Sequence, residues 1–422
     1  MDDKQHAATA PPISPTRAFA ALRHPGFQAF LGTYVLAMMA DNIEHVISYW
    51  MAFRKFESPA LGGFAVLSHW LPFLFFSVPA GALADRFDPR RLIQVGMAMF
   101  MAASLGWGWF FVTDSLQMWH AMVLLVLLVL HGCAGVLWQT SSQLLLHDIV
   151  GPALLPSAVR LNATARYLGL LVGPAVGSGI MLGLGPAHGI FLNAAFYLPL
   201  VLWLWKAPYG RRFSGHAVAA RAVRGFADIV QTMRDIAHDK LLVSMILLAG
   251  AASFFVGNSH QAQMPGFAHD LGHGDAGLTY SMLLSADAAG ALVAGFLLES
   301  RGLLRVNPRT AALLAMAWCS CLGLFALARD YPVALGLLFL AGFFELSCSS
   351  MVQTLVQLNA PQAMRGRVLG LFNMSALGLR AFSGVTIGLV GSFTGIHWSM
   401  AGSALCMLAA AAWVRWRLAP AG

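Results

Sequence analysis

Charged residues are scarce in this chain. Asp, Glu, Lys and Arg make up only 10% of its 422 residues, whereas 58% are hydrophobic and the mean hydropathy is +0.68. Soluble globular domains carry about 25% charged residues. The scarcity therefore excludes a soluble domain and predicts an integral membrane protein. The net charge of +8 is then expected in loops on one side of the membrane, and nucleic acid is not an expected partner.

Motifs of catalysis and nucleotide binding are also missing. The sequence has no HExxH zinc motif, no GxSxG nucleophile elbow and no GxxxxGK[S/T] phosphate loop. We therefore expect that the protein is neither an enzyme nor an ATP-driven pump and that it needs no cofactor. Its energy is expected to come from an ion gradient. No apolar core of a cleavable signal peptide precedes residue 26. The five cysteines lie in apolar stretches without CxxC spacing, which favours packing residues over disulfides or zinc ligands: Cys133, Cys319, Cys321, Cys348 and Cys406.

Long apolar stretches are what the chain has in abundance. A helix needs about 20 apolar residues to cross a bilayer, and an open strand cannot satisfy its backbone in lipid. Twelve stretches are therefore predicted to span the membrane as helices: 27–52, 61–83, 92–113, 117–142, 155–182, 184–205, 241–264, 277–298, 309–328, 332–357, 367–391 and 394–414.

The distribution of charge predicts the domains and the orientation. The longest polar connection, 206–240, carries seven Lys and Arg residues and separates two groups of six spans. Connections on the opposite side are poor in cations, apart from Arg54 and Lys55. By the positive-inside rule both termini are cytoplasmic. The predicted units are a tail (1–26), an N-terminal half (27–205), a linker (206–240), a C-terminal half (241–414) and a second tail (415–422).

Residue matches between the halves indicate a duplication of six helices. Asn162, Ala165, Gly173 and Gly177 in span 5 recur in span 11, each 211 positions later, as Asn373, Ala376, Gly384 and Gly388. The charged connection Gly81–Leu92 has a weaker echo after span 8, in Gly295, Glu299 and Arg301.

The connection after span 2 has its own physical meaning. It reads Gly-Ala-Leu-Ala-Asp-Arg-Phe-Asp-Pro-Arg-Arg-Leu from Gly81 to Leu92. Gly81 allows close approach of a neighbouring helix, and Asp85 can pair with an arginine or face a positive helix N-terminus. Such contacts are typical of a latch between halves, although the arginines alone would also enforce topology.

Twelve spans, the basic midpoint linker and this connection together resemble the major facilitator superfamily of transporters. Its loop pattern is Gly-x-Leu-Ala-Asp-Arg-x-Gly-Arg-Arg, matched by Gly81, Leu83, Asp85, Arg86, Arg90 and Arg91. Asp88 replaces the second glycine, and Pro89 follows. With this variant, Asn359-Ala-Pro361 and Arg365-Gly-Arg367-Val368 resemble the branch of enterobactin-type siderophore exporters and drug efflux proteins. Gly173-Pro174-Ala-Val-Gly177 is similar to a motif of proton-coupled antiporters.

The resemblance implies a monomeric inner-membrane exporter that works by alternating access. It implies a conformational gate made of Gly81, Asp85, Arg86, Arg90, Arg91, Arg166, Gly173, Pro174 and Gly177. Bending of span 5 at Gly173 and Pro174 serves either gating or ordinary bundle geometry. Arg166 is expected either to pair with the connection after span 2 or to contact substrate.

Ionisable groups at membrane depth are functional candidates because burying them is costly. Asp41, Glu44 and His45 stand at i, i+3 and i+4, so they share one face of span 1. The remaining candidates for proton coupling or substrate binding are His69, His131, Asp287, Glu345 and Arg380. Structural roles stay open: a hydrogen bond to a neighbouring helix for Asp41, a satisfied core position for His131, and a buried pair with Arg380 for Asp287 or Glu345. Gln139, Asn258 and His260 are further polar groups at this depth.

The predicted function is export of a small organic molecule, siderophore-like or drug-like, in exchange for protons. An importer and a divalent metal exporter of the same fold are the alternatives. For the metal exporter, Asp41, Glu44, His45 and His69 would supply oxygen and nitrogen ligands. A non-transporting receptor would not need charged residues inside several helices.

Overall fold

The computed structural model describes residues 18–418, apart from 57–58, 114–120, 211–222, 258–259, 261–262, 272–277, 302–303, 384–385 and 388–389. All regular secondary structure in these described residues is helical. Seven helices among them are long and apolar enough to cross a membrane by length and composition.

The N-terminal half begins with three long helices. Helix α1 spans Pro25–Phe56, α2 spans Pro59–Arg86 and α3 spans Pro89–Val112. The residues that depart from the family pattern explain the start of α3. The Asp88 side chain accepts a hydrogen bond from the Arg90 amide at 3.0 Å, and Pro89 occupies the first turn. Such an N-cap contributes about 1 kcal/mol, so the substitution builds a helix start.

A single helical run, Ala121–Ala195, contains the next three spans. Its main-chain angles are non-helical at Gly151 and Gly185, both with positive φ, which glycine adopts without strain. These breaks divide the run into α4 (121–150), α5 (152–184) and the start of α6 (186–195). Helix α6 continues as Leu198–Lys206.

The linker and the C-terminal half follow. The linker contains a helix, Ala227–Ile236. Helix α7 spans Lys240–Phe255, α8 spans Leu278–Arg301, α9 spans Pro308–Ala326 and α10 spans Tyr331–Asn359. Helix α11 comprises Arg365–Asn373, a π-helical turn Met374–Gly378 and Arg380–Ser383. Helix α12 spans Ile396–Arg417, and short helices occupy Met264–Asp270 and Val390–Thr394.

Within the described residues the predicted spans coincide with helices, and the clearest difference lies in span 7. The prediction extends this span to residue 264, but α7 ends at Phe255. Gly257 has a φ of +48° and its position leaves no room for a side chain beside Ser383. Hydropathy continues across this point and therefore does not reveal the turn. At Gly173 and Pro174 the helix α5 continues, and its breaks lie at Gly151 and Gly185 instead.

Each half has its own core, and several pairs of helices join the halves. One large hydrophobic cluster lies mainly within 236–414 and another within 20–204. Helix α2 packs on α11, and α5 packs on α8. A Cβ on Gly81 would overlap the backbone of Gly366, and a Cβ on Gly295 would overlap the side chain of Thr164. Small residues allow this close approach, because in lipid helices associate through packing.

Candidate functional site

Five predicted candidates meet inside the N-terminal half: Asp41, Glu44, His45, His69 and His131, here called the N-half cluster. His131 on α4 is at its centre. Its Nε2 lies 2.7 Å from Asp41 Oδ1 and its Nδ1 lies 2.8 Å from Glu44 Oε1. Both ring nitrogens therefore face carboxylate oxygens, which only accept, and an imidazolium donates to both.

Protein encloses His131 and Glu44, whereas the Asp41 side chain is 19% exposed. His131 and Glu44 are each 1% exposed. Ser104 on α3 donates a hydrogen bond to the other oxygen of Glu44, and Phe100 packs edge-on against the His131 ring. An imidazolium between two carboxylates leaves one net negative charge, so one further proton neutralises the set.

The two other histidines of the N-half cluster contact each other. His45 Nδ1 donates to the Asp41 carbonyl at 2.6 Å, and His45 Nε2 lies 3.2 Å from His69 Nδ1. The four residues considered as metal ligands do not share one centre, because Glu44 points toward α3 and His131. The set whose ligand atoms converge within 4.8 Å is His45, His69 and His131.

A second cluster lies in the C-terminal half: His260, Asp287 and Glu345, here called the C-half cluster. One ligand atom of each lies within 4.8 Å of the others. His260 Nε2 is 3.9 Å from Asp287 Oδ2. The sequence had placed His260 only among embedded polar groups, and Asn258 lies outside the described residues.

A cavity between the halves adjoins this cluster. It contains about 930 Å³ of space not filled by protein atoms, part of it open to solvent. Two arginines from opposite halves line it, Arg166 on α5 and Arg380 on α11, together with Glu345. The Arg380 guanidinium also lies 5.3 Å from the ring centroid of Trp70. The remaining wall is amide-rich and aromatic, and includes Tyr34, Gln139, Gln143, Asn162, Trp318, Gln353, Phe372 and Asn373.

The predicted gate residues of α5 contact the helix that carries Asp41. A Cβ on Gly169 would lie 3.0 Å from the Met38 side chain, and one on Gly173 would lie 2.6 Å from Asn42 Cβ. Gly177 faces Ile43 in the same way. A stripe of glycines at every fourth position thus holds α5 directly on α1, next to the N-half cluster. Gly384 and Gly388, their predicted counterparts, lie outside the described residues.

Asp85 forms a latch between the halves. Its Oδ1 accepts a hydrogen bond from the Gly366 amide at 2.5 Å, and its Oδ2 accepts from the Arg367 amide and guanidinium at 3.1 and 3.2 Å. Asp85 therefore both faces the N-terminus of α11 and pairs with an arginine. The buried Arg367 also donates to Asp228 of the linker helix at 3.2 Å.

The arginines of the same connection have other contacts. Arg90 pairs with Asp88 at 2.7 Å and donates to the Ala207 carbonyl at 2.6 Å, so it fastens the linker to α3. Arg91 is exposed and donates to Gln94, and Arg86 lies over the Phe87 ring. Arg166 lies at the cavity rather than at this connection.

The echo of the motif after α8 forms a second latch. Glu299 pairs with Arg160 of α5 at 2.9 Å and accepts a hydrogen bond from Ser157. Glycine and acid recur 214 positions later, from Gly81 to Gly295 and from Asp85 to Glu299. We did not predict a role for Ser157, Arg160 or Asp228 from the sequence. They are polar residues near a helix start or in a linker, where the sequence does not indicate which distant residue they contact.

Comparison with known proteins gives the family. A family model described as "Transmembrane secretion effector" matches residues 16–421. The uncharacterized MFS-type transporter y4rN of Sinorhizobium fredii (strain NBRC 101917 / NGR234) is 26% identical over 288 residues, which cover 65% of this chain and 66% of that protein. The match thus spans just under two thirds of the relative's length.

Solved structures show the same fold. The human organic anion transporter MFSD10 (TETRAN) superposes with a TM-score of 0.73 at 13% identity, covering 92% of this chain and 100% of that chain. The Escherichia coli fucose:proton symporter FucP (N162A) gives a TM-score of 0.72 at 16% identity, covering 93% and 98%. At these identities the likeness concerns the fold alone.

Proposed function

Because this chain belongs to the transmembrane secretion effector family of major facilitator transporters, we propose that it exports a small organic molecule in exchange for protons. The chain is a multi-pass membrane transporter and not an enzyme. Export and antiport are our proposals, supported by the secretion named in the family description, by the resemblance of the motifs to exporters, and by the geometry of the cavity and the N-half cluster.

The observation that carries the proposal is the pair of arginines in the cavity. Arg166 and Arg380 come from different halves, so a ligand between them contacts both bodies that move in alternating access. Guanidinium groups bind carboxylate and phosphate oxygens with two parallel hydrogen bonds. The amides and aromatic side chains of the wall suit a larger polar scaffold. We therefore infer a siderophore-like or drug-like substrate that carries an anionic group.

The N-half cluster is our proposed proton site. Asp41 lies on α1 two turns after Tyr34, which lines the cavity. Helix α1 also contacts α5 through the glycine stripe, and α5 carries both Arg166 and Arg160. Neutralising the cluster with a proton changes the charge on α1. This change in charge then acts on α5, which contributes Arg166 to the cavity and Arg160 to a latch.

The latches define our proposed conformational cycle. With the termini in the cytoplasm of an inner-membrane monomer, both latches close the cytoplasmic end and the cavity faces outward. Opening inward requires Asp85 to leave the N-terminus of α11 and Glu299 to leave Arg160. Substrate release and proton uptake at the N-half cluster take place in the outward-facing state and precede this opening. Proton release and substrate binding in the inward-facing state then precede the return.

Transport into inverted membrane vesicles tests this proposal. Anionic siderophores and drugs are compared with their methyl esters, which lack the charge, with and without an acidic vesicle interior. We expect gradient-dependent accumulation of the anion alone, abolished by Asp41→Asn and retained by His188→Gln, an exposed histidine of the same half. Equal accumulation without the gradient would contradict proton antiport. Divalent metals and right-side-out vesicles in the same screen test the metal-exporter and importer alternatives.

A further inference from the structure

The C-half cluster buries polar atoms that have no partner. His260 is 1% exposed and Asp287 is 2% exposed. Within the described residues, both ring nitrogens of His260, Asp287 Oδ1 and Glu345 Oε2 make no hydrogen bond. Buried polar atoms in native proteins are nearly always paired, so each exception requires an explanation.

The negative charge of the C-half cluster also favours binding of a cation. Two carboxylates lie beside one imidazole at membrane depth, where an unpaired charge costs several kcal/mol. The neighbouring cation Arg380 lines the same cavity as Glu345 and attracts its carboxylate, so it balances part of this charge. A divalent cation would balance both carboxylates. One imidazole nitrogen with carboxylate oxygens is a donor set that suits Mn²⁺, Fe²⁺, Co²⁺ or Zn²⁺.

We propose that His260, Asp287 and Glu345 form a binding site for a divalent transition-metal cation in the C-terminal half. The three residues have ligand atoms within 4.8 Å of one another, as a shared ion requires. Glu345 also lines the central cavity, which gives the ion a route to the site.

The backbone around the site is close-packed. A Cβ on Gly342 of α10 would overlap the Asp287 carbonyl of α8, and a Cβ on Gly290 would overlap the Phe339 carbonyl. These glycines hold the two acidic helices in direct contact at Asp287 and one turn after it. Ligands on rigid, touching helices are held in place before the ion arrives.

The two halves place their clusters at corresponding positions. His45, His69 and His131 stand on α1, α2 and α4, whereas His260 follows α7 and the two acids stand on α8 and α10. His131 and Glu345 are separated by 214 positions, the same distance as the two latch acids. The N-half donors differ in being paired, because Asp41 and Glu44 occupy both nitrogens of His131. We therefore expect one ion for each chain, in the C-terminal half.

Metal titration of the purified full-length protein tests this site. Protein stripped with a chelator is titrated with MnCl₂, CoCl₂ or ZnCl₂ alone, followed by calorimetry, Mn²⁺ electron paramagnetic resonance and Co²⁺ absorption. We expect one ion per chain, and a loss of affinity of about tenfold or more in each of His260→Gln, Asp287→Asn and Glu345→Gln.

Two variants control for folding and for location. Glu299→Gln removes a buried acid from the same helix as Asp287, and His69→Gln removes a histidine of the N-half cluster; both should bind the ion like the unmodified protein. Absence of binding at millimolar metal would overturn the proposal. So would unchanged affinity in the C-half variants, or loss of binding in His69→Gln. Because the titration uses metal alone, its outcome is independent of the substrate and the coupling ion of transport.

Discussion

The N-half and C-half clusters occupy corresponding places but satisfy their polar atoms differently. In the N-terminal half, His131 is held by Asp41 and Glu44, and Ser104 completes the set. In the C-terminal half, both nitrogens of His260 and one oxygen each of Asp287 and Glu345 make no hydrogen bond among the described residues. Both nitrogens of His131 are thus paired in the first set, and we propose that this set gains and loses a proton. The second set keeps unpaired buried atoms, and we propose that it binds an ion. One duplicated scaffold can thus carry two different chemistries.

The largest expected effect is a difference in how substitutions in the two clusters change the free energy of unfolding. His131→Ala leaves the buried Glu44 and the half-buried Asp41 without their cation and should destabilise the protein by about 3–5 kcal/mol. Asp287→Asn removes one of two unpaired acids, so the metal-free protein should be unchanged or more stable by about 1–4 kcal/mol. Thermal unfolding in detergent after chelation measures both. Equal destabilisation by the two variants would mean that the C-half acids are paired as well.

The next effect concerns the arginines that the two halves contribute to the cavity. Arg166→Gln and Arg380→Gln should each weaken binding of an anionic substrate by about 2–5 kcal/mol, which is more than tenfold. Lysine at either position should restore only part of the affinity, because it lacks the planar fork of arginine. Substrate binding by the two variants and by Arg91→Gln, an exposed arginine, provides the measurement. Unchanged affinity in both variants would show that the cavity is not the substrate site.

The two latches should differ in strength. Asp85 accepts three hydrogen bonds and faces the N-terminus of α11, whereas Glu299 pairs with Arg160 and Ser157. Charge-assisted hydrogen bonds contribute about 1.5–3 kcal/mol each. Asp85→Asn should therefore slow transport about tenfold or more and leave folding intact, and Glu299→Gln should slow it less. Reconstituted protein at matched amounts gives the rates, and a normal rate in Asp85→Asn would show that this contact is not part of the cycle.

The smallest effect tests the contact between α1 and α5. Gly173→Ala would place a methyl group 2.6 Å from Asn42 Cβ, and overpacking of this kind costs about 1–3 kcal/mol. We expect weaker dependence of transport on the proton gradient, because α5 is pushed away from the N-half cluster. Gly179→Ala on the same helix is the matched control, since nothing lies within 4 Å of its added methyl group. Identical behaviour of the two variants would contradict transmission through this contact.

Sequence periodicity predicted which polar side chains share a face of one helix. Contacts between distant parts of the chain became evident only from the fold. Spacing alone placed Asp41, Glu44 and His45 on one face, and hydropathy placed the spans. The partner of Asp85 was foreseen as an arginine or a helix N-terminus, and the structure provides both in residues 366–367. The distant pairs could not be read from the chain. His260 and Glu345 are 85 positions apart within one half, and Arg160 and Glu299 are 139 positions apart in different halves. Packing of helices within the C-terminal half brings the first pair together, and packing of the halves brings the second.

Proton dependence of transport in Asp41→Asn is the most direct test of the account. Substrate accumulation in inverted vesicles is followed over a series of imposed pH gradients, for the unmodified protein, Asp41→Asn and Glu345→Gln. We predict that substrate accumulation rises with the pH gradient in the unmodified protein and is independent of the gradient in Asp41→Asn. Glu345→Gln should lose metal binding but keep the dependence of accumulation on the gradient. Gradient-dependent accumulation that persists in Asp41→Asn and disappears in Glu345→Gln would reverse the roles of the two clusters and contradict it.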